Sequence, residues 1–227
     1  MIRADLTPLF VQYYDLKDSQ PGCLLLMRVG DFYEAYGEDA ELLARDADIA
    51  LTSKEAGGGQ RLAMAGVPFF ALEPYLRTLL EKGNRVAIAD QMELASVSKG
   101  LVRREVSRVV TAGTVLDPQM LDEQRCNYLL CIHSGPTHLS LAVCDITTGD
   151  LLCTEFFYSA EQIADALQRL SEEIYRFRPS EIVLSGSDLV ISSIWAHIQE
   201  TVSLPLVRRE SHPDPQLVLQ QFGWSDF

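Results

Sequence analysis

Apolar and polar positions alternate along the chain with two different periods. Leu9 to Lys17, opened by Thr7-Pro8 as an N-cap with proline in the first helical position, predicts a short helix. Asp18-Ser19-Gln20-Pro21-Gly22 ends it. Cys23 to Val29 is a compact apolar run that predicts a buried strand, feeding into Gly30-Asp31-Phe32-Tyr33-Glu34. Ala40, Leu43, Ala44 and Ala47 recur at helical spacing within 38–48. Short strands follow at Ile49–Ser53 and Leu62–Ala65, separated by the flexible Gly57-Gly58-Gly59. A helix over Ala71–Lys82 stops at Gly83-Asn84. Strands at Arg85–Asp90 and Arg103–Thr111 complete a mixed sheet.

Residues Leu116 to Gln124 read as a connection, and beyond it the pattern changes. Tyr128–His133, His138–Asp145 and Asp150–Phe157 predict three strands joined by short turns. Ser159-Ala160-Glu161-Gln162 is a capping box opening a helix with the stripe Ile163, Ala166, Leu167, Leu170 and Ile174. Then come a strand at Ile182–Ser185, a helix near Val190–Glu200, a strand at Leu204–Arg208 and a last helix from Asp214. The order β-β-β-α-β-α-β-α is that of the RNase H-like fold. The expected organisation is α/β throughout: a mixed-sheet domain over 1–115, a linker over 116–124, and an RNase H-like domain over 125–227 that continues past Phe227.

Hydrophobic residues make up 47% of the 227 and charged ones 22%, as in ordinary globular proteins. An early acid and no long apolar run behind the N-terminus argue against a signal peptide, and no stretch is long enough to span a bilayer. Five cysteines without a C-x-x-C pair fit reduced thiols, mostly in cores, in a cytoplasmic protein. The net charge of −13 opposes nucleic-acid binding by global electrostatics. Its distribution matters. Residues 1–125 carry 14 basic against 19 acidic side chains, and the excess of acid is larger beyond them. Lys99, Arg103, Arg104 and Arg108 face only Glu105 within 97–109, a local basic strip that can meet phosphates.

The segment with the most chemistry is Gly30-Asp31-Phe32-Tyr33-Glu34. Gly-Asp forms turns, and an aromatic and a carboxylate two apart project to one surface if the backbone is extended there. Residue types alone leave two readings open. Phe32 and Tyr33 are core aromatics with Glu34 a solvated acid at a helix start, or Phe32 and Glu34 form a contact surface.

The wider sequence resembles the N-terminal part of bacterial MutS mismatch repair proteins. The matching stretches, in order and spacing, are Thr7-Pro8, 28–34, 49–52, Met64-Ala65-Gly66-Val67-Pro68, 86–91, Ser98-Lys99-Gly100, 104–106 and 108–114. The turn Asp145-x-x-Thr148-Gly149 and the ending Leu219-x-x-Phe222-Gly223 fit the next domain of that family. The chain departs at Phe70, commonly His; at Ala112, usually Pro; and at Glu93-Leu94-Ala95.

The resemblance implies a mismatch-recognition domain followed by a connector domain. Phe32 is then the wedge that enters the minor groove and stacks on a mispaired base, and Glu34 hydrogen-bonds a ring nitrogen of that base. A carboxylate near phosphates is repelled, so Glu34 is expected either to bind protonated or to take a donor from the base. Arg28, Asp31, Tyr33, Lys54, Arg61, Met64, Lys99, Arg103 and Arg104 are candidates for DNA contact or support. The implied partners are double-stranded DNA with mispairs or small loops, and a repair protein of the MutL type. The family protein is a homodimer that uses ATP and Mg, whereas this chain on its own is expected to be monomeric and without a cofactor. No Gly-x-x-x-x-Gly-Lys-[Ser/Thr] occurs in it, so a P-loop ATPase is not expected here.

Two other classes remain in view. RNase H-like folds include nucleases that use clustered carboxylates and two divalent ions, for which Asp145, Asp150, Glu155, Glu181 and Asp188 are the available acids. The acidic 126–227 also suits a protein-interaction module. His133, His138, His197 and His212 show no ligand spacing, so no metal is expected.

Overall fold

The computed structural model describes residues 5–92, 101–122, 125–186, 188–202, 204–208, 216, 217 and 220. Lys99, the stretches 93–95 and 98–100, and most of the helix expected from Asp214, with Leu219, Phe222 and Gly223, lie outside them. The chain forms two compact units, the second starting at Tyr128, with the turn Ile146–Thr148 grouped with the first.

The first unit begins with α1 (Pro8–Asp18), β1 (Leu24–Val29), β2 (Phe32–Tyr36), α2 (Glu38–Ala47), β3 (Thr52–Gly57) and β4 (Gln60–Pro68). A 3-10 turn at Phe69–Ala71, α3 (Leu72–Glu81), β5 (Val86–Gln91) and β6 (Arg104–Val110) follow. The six strands lie in the order β3-β4-β2-β1-β5-β6, with β1 and β5 parallel and the other pairs antiparallel. Strand β1 explains the arrangement. Leu24 and Leu26 pack with Leu43 of α2 and Leu76 and Leu79 of α3, whereas Leu25 and Met27 pack with Phe10 and Tyr13 of α1. Both faces of the sheet are covered, so its central strand is apolar at consecutive positions.

Several local expectations shift. Thr7 does stand at the N-cap, but its side chain makes no cap hydrogen bond; its N–H donates to Ala56 O at 2.7 Å. The strand expected at Ile49–Ser53 starts at Thr52. Helix α2 ends on Asp48 at φ 53, in the left-handed region, and Ile49 packs on the core as connection. Strand β4 runs past Leu62–Ala65 at both ends, because β2 and β3 pair with it. Residues expected to link the two domains form a 3-10 turn at Pro118–Met120, and Met120 and Leu121 rest on the first unit's core.

The second unit contains β7 (Tyr128–Ser134), β8 (His138–Asp145), β9 (Asp150–Phe157), α4 (Ile163–Phe177), β10 (Glu181–Gly186), α5 (Asp188–Thr201) and β11 (Leu206–Arg208). The sheet order β11-β10-β7-β8-β9 combines an antiparallel meander with two parallel strands, the RNase H-like arrangement. Ala166, Leu170 and Ile174 of α4 and Ile191, Ile194 and Ile198 of α5 close the core over Leu130, Ile132, Leu141 and Leu184. The capping box at Ser159 and Gln162 is present, and it opens a 3-10 turn that runs on into α4.

The expectation that most cysteines are core residues fails. Cys23 is buried, but Cys126 and Cys153 are exposed and Cys131 and Cys144 are half-buried. The exposed ones sit just before β7 and on β9, whose residues are largely uncovered.

Gly186 sits at φ 127, where a Cβ would lie 2.2 Å from Ser134 O and 2.6 Å from Ser134 N. Both obstacles are backbone atoms of the paired strand. Gly186→Ala is expected to destabilise the second unit by on the order of 3 kcal/mol, read as a lower urea midpoint. An unchanged midpoint would contradict the close approach.

Candidate nucleic-acid interface

Strands β1 and β2 form a hairpin in which Val29 pairs with Phe32, leaving Gly30-Asp31 as a two-residue loop. Gly30 has φ 61, the left-handed conformation that such tight hairpins require and glycine adopts without cost. The tip is pinned on two sides. Asp31 O accepts the Phe69 N–H at 2.9 Å, and Arg28 Nε donates to Gly30 O at 2.7 Å. The Arg28 guanidinium also lies 3.7 Å from the centre of the Phe69 ring, a cation–π contact.

Phe32, the first residue of β2, leaves this tip 47% exposed. Tyr33, one residue on, faces the opposite side of the sheet. It is buried, and its hydroxyl donates to Asp90 Oδ1 at 2.6 Å, while Asp90 Oδ2 accepts Ser107 Oγ at 2.6 Å. Burial first, and then the bond to Asp90, push the Tyr33 phenol up to about 12, so it stays a donor. Tyr33 therefore braces the hairpin from behind.

Glu34 returns to the face of Phe32, half-buried. Its Oε2 accepts Lys54 Nζ of β3 at 2.6 Å and also the hydroxyl of Tyr36. Tyr36 is buried edge-on against Phe10 and Tyr13, with ring centres 4.7 and 4.9 Å away. Burial, and then hydrogen bonding to Glu34, push its phenol well above the usual range. Gly66 pairs with Glu34 across β4, and a Cβ there would stand 3.4 Å from Glu34 Cγ.

The remaining candidates separate by environment. Met64 is half-buried opposite Tyr36 and packs on the core beneath α1. Arg61 is exposed and held to Ser53, with Nε to Oγ at 3.0 Å and the guanidinium to the carbonyl at 2.8 Å. Arg103 is exposed and ion-paired with Glu105. Arg104 is only 6% exposed; it donates to the carbonyls of Arg28 and Val102 and to Gln12 Oε1, which makes it a strut between α1 and β1. Tyr36 and Phe69 were not singled out by the sequence. The signal for Tyr36 was its place two residues beyond Glu34 on the same strand face.

In the second unit, the candidate nuclease acids on β8 and β9 do not form one cluster. Asp145 and Asp150 face each other at one end of β8 and β9, while Glu155 lies five residues along β9, next to Ser140 and His138. Among the described residues no group of three or more His, Cys, Asp or Glu side chains is arranged to hold a metal ion. Among the same residues no helix is long and apolar enough to cross a membrane.

Fold and site together define a tandem of two α/β units, the first presenting an exposed Phe-x-Glu strand and the second RNase H-like in strand order. Residues 7–119 match the family described as MutS domain I, and residues 127–223 match MutS domain II. The chain belongs to the MutS family. It is 42% identical over 183 residues to the DNA mismatch repair protein MutS of Acetivibrio thermocellus, a match covering 81% of this chain and 20% of that protein. To the protein of the same name from Symbiobacterium thermophilum it is 45% identical over 182 residues, covering 80% and 20%. The chain thus spans about one fifth of the length of these relatives.

Proposed function

We propose that this chain recognises mispaired DNA, with Phe32 entering the minor groove as a wedge and Glu34 hydrogen-bonding the base that Phe32 exposes. The observation that carries the reading is Phe32 itself: a large apolar ring half in solvent at the tip of a hairpin pinned by Arg28 and Phe69. The ring is not a lone exposed residue: Phe69, hydrogen-bonded to the same tip, and Phe70 beside it are also exposed, and a cluster of apolar rings, rather than a single one, marks a contact surface. An apolar wedge unstacks a base step at a cost of a few kcal/mol, and the cost is least where pairing is already lost. Stacking tolerates any base, which suits a sensor of many mispairs.

The MutS relatives are named for DNA mismatch repair, and on that ground the remaining roles are assigned. The second unit acts as a connector that offers its acidic surface to a MutL-type partner. Hydrolysis of ATP with Mg, and dimerisation, belong to parts of the family protein outside these two domains.

Competition binding tests the reading. A fluorescein-labelled duplex with one central mispair is displaced from the protein by unlabelled mispaired or fully paired duplex, at fixed salt, because phosphate contacts make any affinity salt-dependent. The mispaired competitor is expected to act at about ten-fold lower concentration. Equal competition would overturn the proposal.

A further inference from the structure

Lys54 and Tyr36 place both their donors on one atom, Oε2 of Glu34. Lys54 Nζ lies 3.3 Å from the Tyr36 hydroxyl and 5.5 Å from the centre of its ring, so the three side chains form one closed group. Two strands are needed to build it, Glu34 and Tyr36 from β2 and Lys54 from β3, with β4 between them. Gly66 on β4 supplies the space in which Glu34 Cγ sits. Among the described residues no donor is placed on Oε1.

We infer that Lys54 and Tyr36 are positioning residues that clamp Glu34 through Oε2, so that it meets the exposed base as an anion offering only Oε1, and accepts from a ring N–H of that base. This rests on the mispair-sensing role of Phe32 and Glu34 proposed above, and it adds the two groups that make a carboxylate workable there. A bare carboxylate is repelled by the phosphates flanking a groove. An ammonium 2.6 Å away offsets that charge locally while leaving the second oxygen available. Tyr36 adds orientation: its ring is locked between Phe10 and Tyr13, so its hydroxyl cannot follow Glu34 if the carboxylate turns. With the acceptor fixed and anionic, the discriminating proton comes from the nucleobase. Thymine and guanine carry a ring N–H at neutral pH, whereas the pairing ring nitrogens of adenine and cytosine are acceptors. The clamp therefore ranks mispairs by the donor that the opened base presents.

The test uses the full chain with three duplexes: one containing a G·T mispair, one an A·C mispair, one fully paired. Lys54→Met is expected to lower the G·T-to-paired affinity ratio about ten-fold, the scale of one charge-assisted hydrogen bond, and to erase the G·T preference over A·C. Lys54→Arg, which keeps the charge, is expected to hold the ratio within about three-fold of wild type. Tyr36→Phe is expected to lower it about three-fold. In the free chain the Lys54 ammonium protons are expected to be protected from solvent exchange by NMR, and to lose that protection in Glu34→Gln. If Lys54→Met weakens all three duplexes alike and lowers the salt slope by about one, Lys54 is a phosphate contact and the clamp is wrong. A ratio that rises in Lys54→Met would mean that Glu34 works in its neutral form, which also overturns it. Wild-type protein without mispair preference, or Phe32→Ala with preference intact, overturns instead the reading on which the clamp rests.

Discussion

Phe32→Ala is expected to abolish the preference for mispaired over paired duplex while leaving the protein folded. The ring is nearly half exposed at the hairpin tip, and Val29 and Pro68 pair with its backbone rather than seal its side chain. Removing it costs little core burial, so the unfolding midpoint should stay within about 0.5 kcal/mol of wild type. Binding is different. Stacking of a base on an aromatic side chain contributes about 1–3 kcal/mol, which is about ten- to hundred-fold in affinity for the mispaired duplex. A paired duplex, whose step resists opening, gains little from the ring in the first place. The loss therefore falls on one side of the ratio. Competition with mispaired and paired duplexes measures it, and Phe32→Trp, which restores a stacking face, should recover most of the ratio. A variant with the ratio unchanged would remove Phe32 from the interface.

Much of this was legible in the chain, and the exceptions have physical causes. The helices 38–47, 72–81 and 163–177 show a one-sided apolar face, helix 8–18 is marked instead by Thr7-Pro8 at its start, and the meander in the second unit matches strict alternation at Leu139, Leu141 and Val143. Strand β2 was harder to see, because it follows a two-residue turn and its two faces are both occupied, Tyr33 and Ala35 on one and Tyr36 on the other. The Phe-x-Glu pair itself stood out only through the family resemblance, since an aromatic next to an acid is common in cores and helix starts. The pairing of Glu34 with Lys54 was out of reach: twenty residues separate them, and their meeting depends on the register of β3 on β4 and of β4 on β2. Arg104 shows the converse error to which charge patterns are prone. In the sequence it belongs to a basic strip, yet in the fold it is buried and spends its donors on protein carbonyls and Gln12.

Asp39 is a second acid or base whose type hides its place, and it carries the largest expected effect on the stability of the first unit. As an acid in the first turn of α2 it resembles a solvated partner of the helix dipole. In the fold it is 6% exposed, and its carboxylate gathers three elements. Oδ2 accepts the Tyr13 hydroxyl of α1 at 2.9 Å and the Leu25 N–H of β1 at 3.0 Å, and Oδ1 accepts Lys17 Nζ at 2.6 Å. Burial, and then the charge of Asp39, push the Tyr13 phenol well above its usual range, so it remains a donor; the same oxygen accepts the Tyr36 N–H at 3.2 Å. Asp39 thus supports Tyr36 through Tyr13, and Tyr36 supports Glu34. Asp39→Ala removes the acceptor of two buried donors, the Tyr13 hydroxyl and the Leu25 N–H, and leaving such groups unmatched costs about 1–3 kcal/mol each. Since the Tyr13 hydroxyl retains Leu25 O at 3.2 Å and Lys17 is partly exposed, the loss should total about 3 kcal/mol rather than the full sum. For a unit of this size that is a fall in the midpoint of thermal unfolding on the order of 10 °C, measured by circular dichroism. Asp39→Asn, which keeps one acceptor, should lose about half as much. Faster amide exchange at Leu25 and Tyr36 in the alanine variant would trace the loss to this network. A midpoint within about 2 °C of wild type would show that the three elements are held together without it.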